Sequence, residues 1–285
     1  MPPSYQSATI APVTALLPLF FAAAVRAAAP PAPRFAKIVI VIFENADFKD
    51  AVKQPFFASL AERGALLTDY HAVGHPSLPN YIALVSGGTQ GVKDDGVHDL
   101  DARSVVDLLE AKGKSWKLYA EGYPGGCFLR PRSRRYARKH VPLLSFTNVQ
   151  KDAERCARVV DARDFFVDLS SGALPDYSLF VPDLRDDGHD TGVAYADTWF
   201  KTNFGPVLKK WPARVLLVAT FDEDSNSGGT NQIYTALYGG MVKTGARVDE
   251  RYSHYSLLRT VEDEWKLGDL GGDYAQAEPI AGVWK

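Results

Sequence analysis

The chain has 285 residues, 46% hydrophobic and 23% charged, which is enough apolar material for one large or two small globular domains. A formal net charge of −2 excludes recognition of nucleic acid or membrane by overall charge. Electrostatic recognition has to come from local patches.

Residues 8–29, ATIAPVTALLPLFFAAAVRAAA, are apolar and alanine-rich, and PPAP follows. The central apolar run of about ten residues is short for a membrane span and suits a secretory h-region. Val25-Arg26-Ala27 places small residues at cleavage spacing, although the preceding segment has no Lys or Arg. The expectation is a signal peptide over 1–27, a Pro/Ala-rich leader over 28–35 and one domain over 36–285. The mature product is then secreted or periplasmic and not stably inserted in a membrane. An uncleaved anchor and a disordered leader are the alternatives.

KIVIVIF (37–43) is a continuous β-branched run, as expected of a strand buried on both faces. Leu78, Ile82 and Val85 recur at helical spacing after Ser77. SVVDLLEAKG (104–113) has a capping serine, an apolar stripe and a closing glycine. WKLYAE (116–121) and YSLFVP (177–182) are weaker strand candidates, RVLLVATF (214–221) is a second strongly buried one, and YTALYG (234–239) is weaker again. SLLRTVEDEWKLG (256–268) repeats the helical scheme with Leu257, Val261 and Trp265. Strands alternating with helices predict a mostly parallel α/β sheet covered by helices on both faces.

Such sheets carry their chemistry at the carboxyl ends of the strands. Glu44-Asn45 follows the first buried run and Asp222-Glu223-Asp224 follows the second. Carboxylates gathered at one edge repel and call for a counter-charge. A divalent cation (Mg, Mn, Ca, Fe or Zn) meets that need through hard oxygen donors. Solvated turn acids are the bland alternative. Asp222-x-Asp224-x-Asn226 opens like a calcium loop, but Ser227 stands at the glycine position and Ile233 at position twelve, so that reading fails.

Ser77, in HPSLPN, is expected at the N-cap of its helix, between Pro76 and Pro79. Helix N-termini hold anions, and a hydroxyl beside a cation can act as a nucleophile. An ordinary capping serine is the alternative, worth about 1 kcal/mol. Asn80 on the same first turn, His75 just before it and His254 at the start of the last helix are candidate substrate contacts. His189, in PDLRDDGHD, and His140 are candidate proton donors. Asp187 is placed to orient His189 or to share an ion. RPRSRRYARKH (130–140) holds six Arg/Lys in eleven residues and suits attraction of an anionic substrate. It lacks the interleaved aromatics of a nucleic-acid platform. Cys127 and Cys156 either pair, as two cysteines in an exported chain generally do, or remain buried thiols.

In this order VIFEN, HPSLPNYIALVSG, GGCF…YARKHVP, PDLRDDGHD, TFDED and HYSLLRTVED resemble the phosphoesterase family of bacterial and fungal acid phosphatases and phospholipase C-like enzymes. The resemblance covers roughly residues 36–270. It implies a three-layer, alkaline-phosphatase-like α/β fold and hydrolysis of small-molecule phosphate esters through a phosphoserine on Ser77. It also implies a metal held by Glu44, Asn45, Ser77, Asp222 and Glu223, histidines 140 and 189 at the phosphate, and a Cys127–Cys156 disulfide. Two departures stand out. Ala46 replaces a polar residue common after Glu-Asn, and the acidic pair is Asp-Glu rather than two aspartates. Ser77-Leu-Pro-Asn-Tyr81 has the proline of the related sulfatases but not their arginine, which disfavours sulfate esters. Monoester hydrolysis is the first expectation and a phosphodiesterase of the phospholipase C type the second. A serine acyl hydrolase is disfavoured because His75-Pro76-Ser77-Leu78-Pro79 lacks the glycines of G-x-S-x-G. A non-catalytic binding protein is the last alternative.

Overall fold

The computed structural model describes residues 1–4, 32–226 and 229–285. The chain divides into Met1–Ala32 and Pro33–Lys285, and every element below belongs to the second unit. The expected signal peptide, after its first four residues, lies outside the described residues, as does the start of the expected leader. Among the described residues no helix is long and apolar enough to cross a membrane.

In chain order the elements are β1 (Lys37–Phe43), α1 (Phe48–Ala51), α2 (Pro55–Arg63), β2 (Ala65–His71), α3 (Ser77–Ser86), α4 (Val105–Ala111) and β3 (Trp116–Ala120). A small hairpin, β4 (Arg132–Ser133) and β5 (Tyr136–Ala137), precedes two 3₁₀ turns, Arg138–His140 and Pro142–Ser145. Then come α5 (Thr147–Gln150), α6 (Ala153–Cys156), β6 (Val159–Asp161), α7 (Arg163–Ser171), β7 (Tyr177–Val181) and α8 (Val193–Leu208). The chain closes with β8 (Val215–Phe221), β9 (Thr235–Tyr238), β10 (Ala246–Ser253) and α9 (His254–Trp265).

Eight strands form one sheet in the order β10-β2-β9-β8-β1-β7-β3-β6. All pairings are parallel except those of β9, which runs antiparallel to both β2 and β8. The other seven strands therefore end at the same edge. β7 and β8, on either side of β1, are buried along their whole length, and β1 is buried beyond Lys37. A strand buried at successive positions needs cover on both faces. On one face Phe43 and Phe221 pack against Phe57 of α2, and Phe43 also meets Phe200 of α8. The fold is the expected mostly parallel α/β sheet, and the five predicted strands lie within a residue or two of their sequence runs. β2, β10 and α8 were not anticipated. β10 has one buried position and four charged residues, as an edge strand can, and lacks the continuous apolar run that marks β1.

α3 differs from expectation at its first turn. Ser77 is the first helical residue and Pro76 occupies the cap position, with no side-chain cap of its own. Asp95, from the loop that follows α3, supplies the missing acceptor: its Oδ1 takes the Leu78 N–H at 3.0 Å. The Ser77 hydroxyl is thus released from capping. All ten α3 residues are buried. The helix ends at Gly87 (φ 70°), where a Cβ would lie 2.2 Å from the Tyr274 ring, so both backbone and space require glycine. A disulfide joins Cys127 to Cys156, with Cα atoms 5.5 Å apart.

Candidate active site

Four strands deliver the polar cluster. Glu44 and Asn45 follow β1, the turn to Ser77 follows β2, Asp187 follows β7, and Asp222 to Asp224 follow β8. Asn45 adopts the left-handed conformation (φ 53°), which asparagine tolerates better than most residues. Its backbone N–H reaches Asp222 Oδ1 at 3.2 Å and its amide donates to Glu223 Oε1 at 3.3 Å. Adjacent residues of β1 and β8 are in register up to Phe43–Phe221, so the two acidic clusters meet because their strands pair.

Ser77 Oγ lies 3.1 Å from Glu44 Oε2 and 3.5 Å from Glu223 Oε1. Glu44 is wholly buried. Its other oxygen accepts from the Tyr81 hydroxyl and lies 3.3 Å from His140 Nε2. His140 Nδ1 is 3.3 Å from Asp187 Oδ2, and its ring stacks on Tyr81 at 5.3 Å. Glu44, His140 and Asp187 thus present three ligand atoms within 4.8 Å of one another.

The electrostatics are strained. Burial, reinforced by Asp222 and Asp187, pushes the Glu44 carboxyl well above the usual range. Burial does the same to Asp187. Burial and Glu223 push Asp222 up to about 7, and burial and Asp95 push Glu223 to about 7. Burial, with Lys139 and His189 nearby, holds His140 well below the ordinary histidine value. Asn45 Oδ1, Asp187 Oδ2, Asp222 Oδ2 and His140 Nε2 are all buried with no hydrogen-bond partner among the described residues. Buried polar atoms are seldom left unpaired. Such a donor set, all oxygen except for one imidazole, fits a divalent cation.

The remaining candidates are placed as follows. Asn80 Oδ1 accepts the Val73 and Gly74 N–H groups (2.8 and 3.0 Å), and its amide donates to Gly74 O, Pro76 O and Glu223 Oε2. It clamps the turn that leads into Ser77. His75 has its two nitrogens on Glu223 Oε2 (2.8 Å) and Asp224 Oδ1 (3.3 Å). His254 Nε2 lies 2.7 Å from the Asp222 carbonyl, an acceptor, so that nitrogen carries the proton. Burial lowers His254 to about 4, and it stands behind Asp222. His189 is partly exposed, paired with Asp190 at 2.9 Å, and its ring centre is 6.0 Å from that of His140.

Three residues at the site had not been singled out. Tyr81 lies four residues after Ser77, on the same helix face, and that spacing was legible. Lys139, inside the basic segment, bonds Asp95 Oδ2 at 2.7 Å. Against the cost of burial, Asp95 and Glu44 hold its pKa above the ordinary lysine value. Asp95 itself comes from a polar loop with no local signal.

The sequence model of the phosphoesterase family matches residues 48–268, a span that begins just after Glu44-Asn45. A probable acid phosphatase of Kluyveromyces lactis is 36% identical over 264 residues, covering 87% of this chain and 63% of that protein. An acid phosphatase of Aspergillus fumigatus is 33% identical, covering 83% of this chain and 56% of that protein. A phosphatidylinositol-3-phosphatase of Mycobacterium tuberculosis is 34% identical, covering 88% and 84%. The chain therefore spans less than two thirds of the length of these two acid phosphatases. Among solved structures, an alkaline phosphatase superfamily protein of Vibrio parahaemolyticus superposes with a TM-score of 0.62 at 14% identity, covering 88% of this chain and 72% of that one. A phosphonate monoester hydrolase of Silicibacter pomeroyi superposes at 0.59 and 10% identity, covering 88% and 78%. These structures share the fold. The chain belongs to the phosphoesterase family.

Proposed function

We propose that the protein is a metal-dependent phosphatase that hydrolyses small-molecule phosphate monoesters with Ser77 as nucleophile. The observation that carries the reading is the Ser77 hydroxyl within 3.1 and 3.5 Å of two buried carboxylates, beside oxygens that have no partner. Glu44, Asn45, Asp222 and Glu223, together with Ser77, would hold a divalent cation; His140 and Asp187 join Glu44 in a second ligand cluster. When bound, the cation neutralises these carboxylates and the charge on the phosphoryl oxygens.

The chain's own groups supply the rest. Ser77 attacks phosphorus as the bond to the leaving oxygen breaks, which forms a phosphoserine. The hydroxyl proton has carboxylates in reach. His189, the more exposed of the two candidate histidines, protonates the leaving alcohol. Water then attacks the phosphoserine, phosphate leaves, and Ser77 regains its proton. His140, buried between two carboxylates and held neutral, is assigned to positioning rather than to proton donation. Asn80 fixes the turn that aims Ser77. The apolar N-terminal segment and the disulfide support an exported protein, since disulfides persist in oxidising compartments.

Purified protein should release phosphate from p-nitrophenyl phosphate far faster than it cleaves bis(p-nitrophenyl) phosphate, and metal analysis of the same sample should find a divalent ion. Ser77→Ala should lower turnover at least ~10³-fold with an unchanged circular dichroism spectrum. Near-normal turnover in that variant refutes the mechanism. The reverse substrate preference refutes the monoester assignment.

A further inference from the structure

A cavity of about 230 Å³ opens beside Ser77, lined by Leu78, Asp95, Arg132, Arg138, Lys139 and His189 with several apolar neighbours. At about 30 Å³ per water, it has room for roughly eight waters. None of the proposed metal ligands lines it, so it is separate from the phosphoryl position and has room for part of the leaving group. Its apolar walls, Val97, Pro131, Ala137 and Leu184, suit a short carbon frame.

The charges in this cavity are uneven. Arg132, on the β4–β5 hairpin, is exposed, and no carboxylate lies within 4 Å of it among the described residues. Arg138 is 4% exposed. Its terminal nitrogens bond Leu129 O, His98 O, Leu144 O and Asp99 Oδ1, while its Nε has no hydrogen-bond partner among the described residues. Lys139 has one partner near the cavity, Asp95. That carboxylate also takes the Leu78 N–H at the start of α3. Asp95 thus bridges a backbone N–H and an ammonium next to the nucleophile, the arrangement in which proteins hold anions.

We propose that this cavity is a specificity subsite for a second anionic group on the leaving alcohol, bound by Arg132 and Lys139, and that Asp95 occupies part of it until substrate arrives. The proposal rests on the phosphatase reading for turnover but not for binding. The preferred substrates are phosphomonoesters whose leaving group carries a second phosphate or a carboxylate a few bonds away. Substrate anion displaces Asp95 from Lys139, whereas Arg132 is available without displacement.

The test uses three esters with one carbon frame: n-propyl phosphate, 3-phosphooxypropanoate and propane-1,3-diyl bisphosphate. kcat/KM is measured on the metal-loaded protein, and binding to the Ser77→Ala protein is measured by calorimetry. With Arg132 in place, a doubly anionic ester should be favoured over propyl phosphate by about tenfold in both readouts, about 1.4 kcal/mol. The ratio between the carboxylate and bisphosphate esters identifies the second anion. Arg132→Ala, at an exposed position, should remove most of that preference, and Arg132→Lys should restore part of it. Asp95→Asn should lower KM for the doubly anionic ester several-fold. Absence of preference in binding, absence of preference in turnover where the esters are hydrolysed, or a preference that Arg132→Ala leaves unchanged overturns the subsite. Preferential binding without turnover of any ester leaves the subsite standing and refutes the phosphatase reading instead.

Discussion

Replacing Asp222 by Asn should inactivate the protein and yet stabilise its metal-free form. Asp222 is 1% exposed. Its Oδ1 accepts from Asn45 N–H, a bond that an asparagine oxygen can keep, while Oδ2 has no hydrogen-bond partner among the described residues. Burial and Glu223 move its pKa from 3.8 to about 7. At about 1.4 kcal/mol per pH unit, the ionised form stands about 4 kcal/mol above its energy in water. Folding therefore tightens proton binding. The stability held by this group is complete below about pH 4, where both states are protonated, and is lost as pH rises to about 7. In excess chelator at pH 8, Asp222→Asn should be more stable than wild type by about 2–4 kcal/mol, in line with other replacements of buried charge. The gap should close near pH 4. With saturating divalent cation the order should reverse, because only wild type gains the full binding energy. Urea unfolding at pH 4 and 8, with and without metal, measures all three. A variant no more stable than wild type at pH 8 in chelator, or a gap independent of pH, refutes the view that these carboxylates are assembled for a cation.

His189→Asn should slow hydrolysis of an alkyl phosphate by roughly 10²-fold or more and of p-nitrophenyl phosphate much less, because a good leaving group needs little protonation; equal losses on both substrates would remove His189 as the acid. Tyr81→Phe deletes the hydroxyl that bonds Glu44 and keeps the ring stacked on His140; metal affinity measured by titration should fall roughly 10–100-fold with the fold intact. Opening the Cys127–Cys156 disulfide, which spans 29 residues, should cost about 3–4 kcal/mol in the chain-entropy model, read by chemical denaturation of the double Cys→Ser variant. Phe57→Ala removes a fully buried ring that meets Phe43, Phe200, Phe221 and Tyr234 and should cost about 3–5 kcal/mol.

Much of the architecture was legible locally. β1 and β8 announce themselves because a strand between two helical layers has no polar face, and a run such as KIVIVIF has few other stable uses. β10 was missed for the opposite reason: its charged, alternating sequence matches a solvated edge as well as a loop. The acids after β1 and β8 could be assigned to one edge because parallel strands share their direction. Nothing local marked Asp95, whose importance comes from reaching the start of α3 across a loop. Ser77 was misplaced by one residue at its helix end, since a cap supplied from elsewhere in the chain leaves no trace in HPSLPN.

By itself the amino-acid sequence determined the two central strands, three further strands and three helices, and that carboxylates follow the two most hydrophobic strands, because hydrophobic periodicity and chain direction are properties of short segments. Only the tertiary structure decided how those groups face one another: His140 between Glu44 and Asp187, His254 behind Asp222, and Asp95 across the cavity on Lys139. Those relations depend on distances of a few ångströms between segments tens to hundreds of residues apart; the packed apolar layers hold them in place against the cost of burying their charge, and neither exists until the layers have packed.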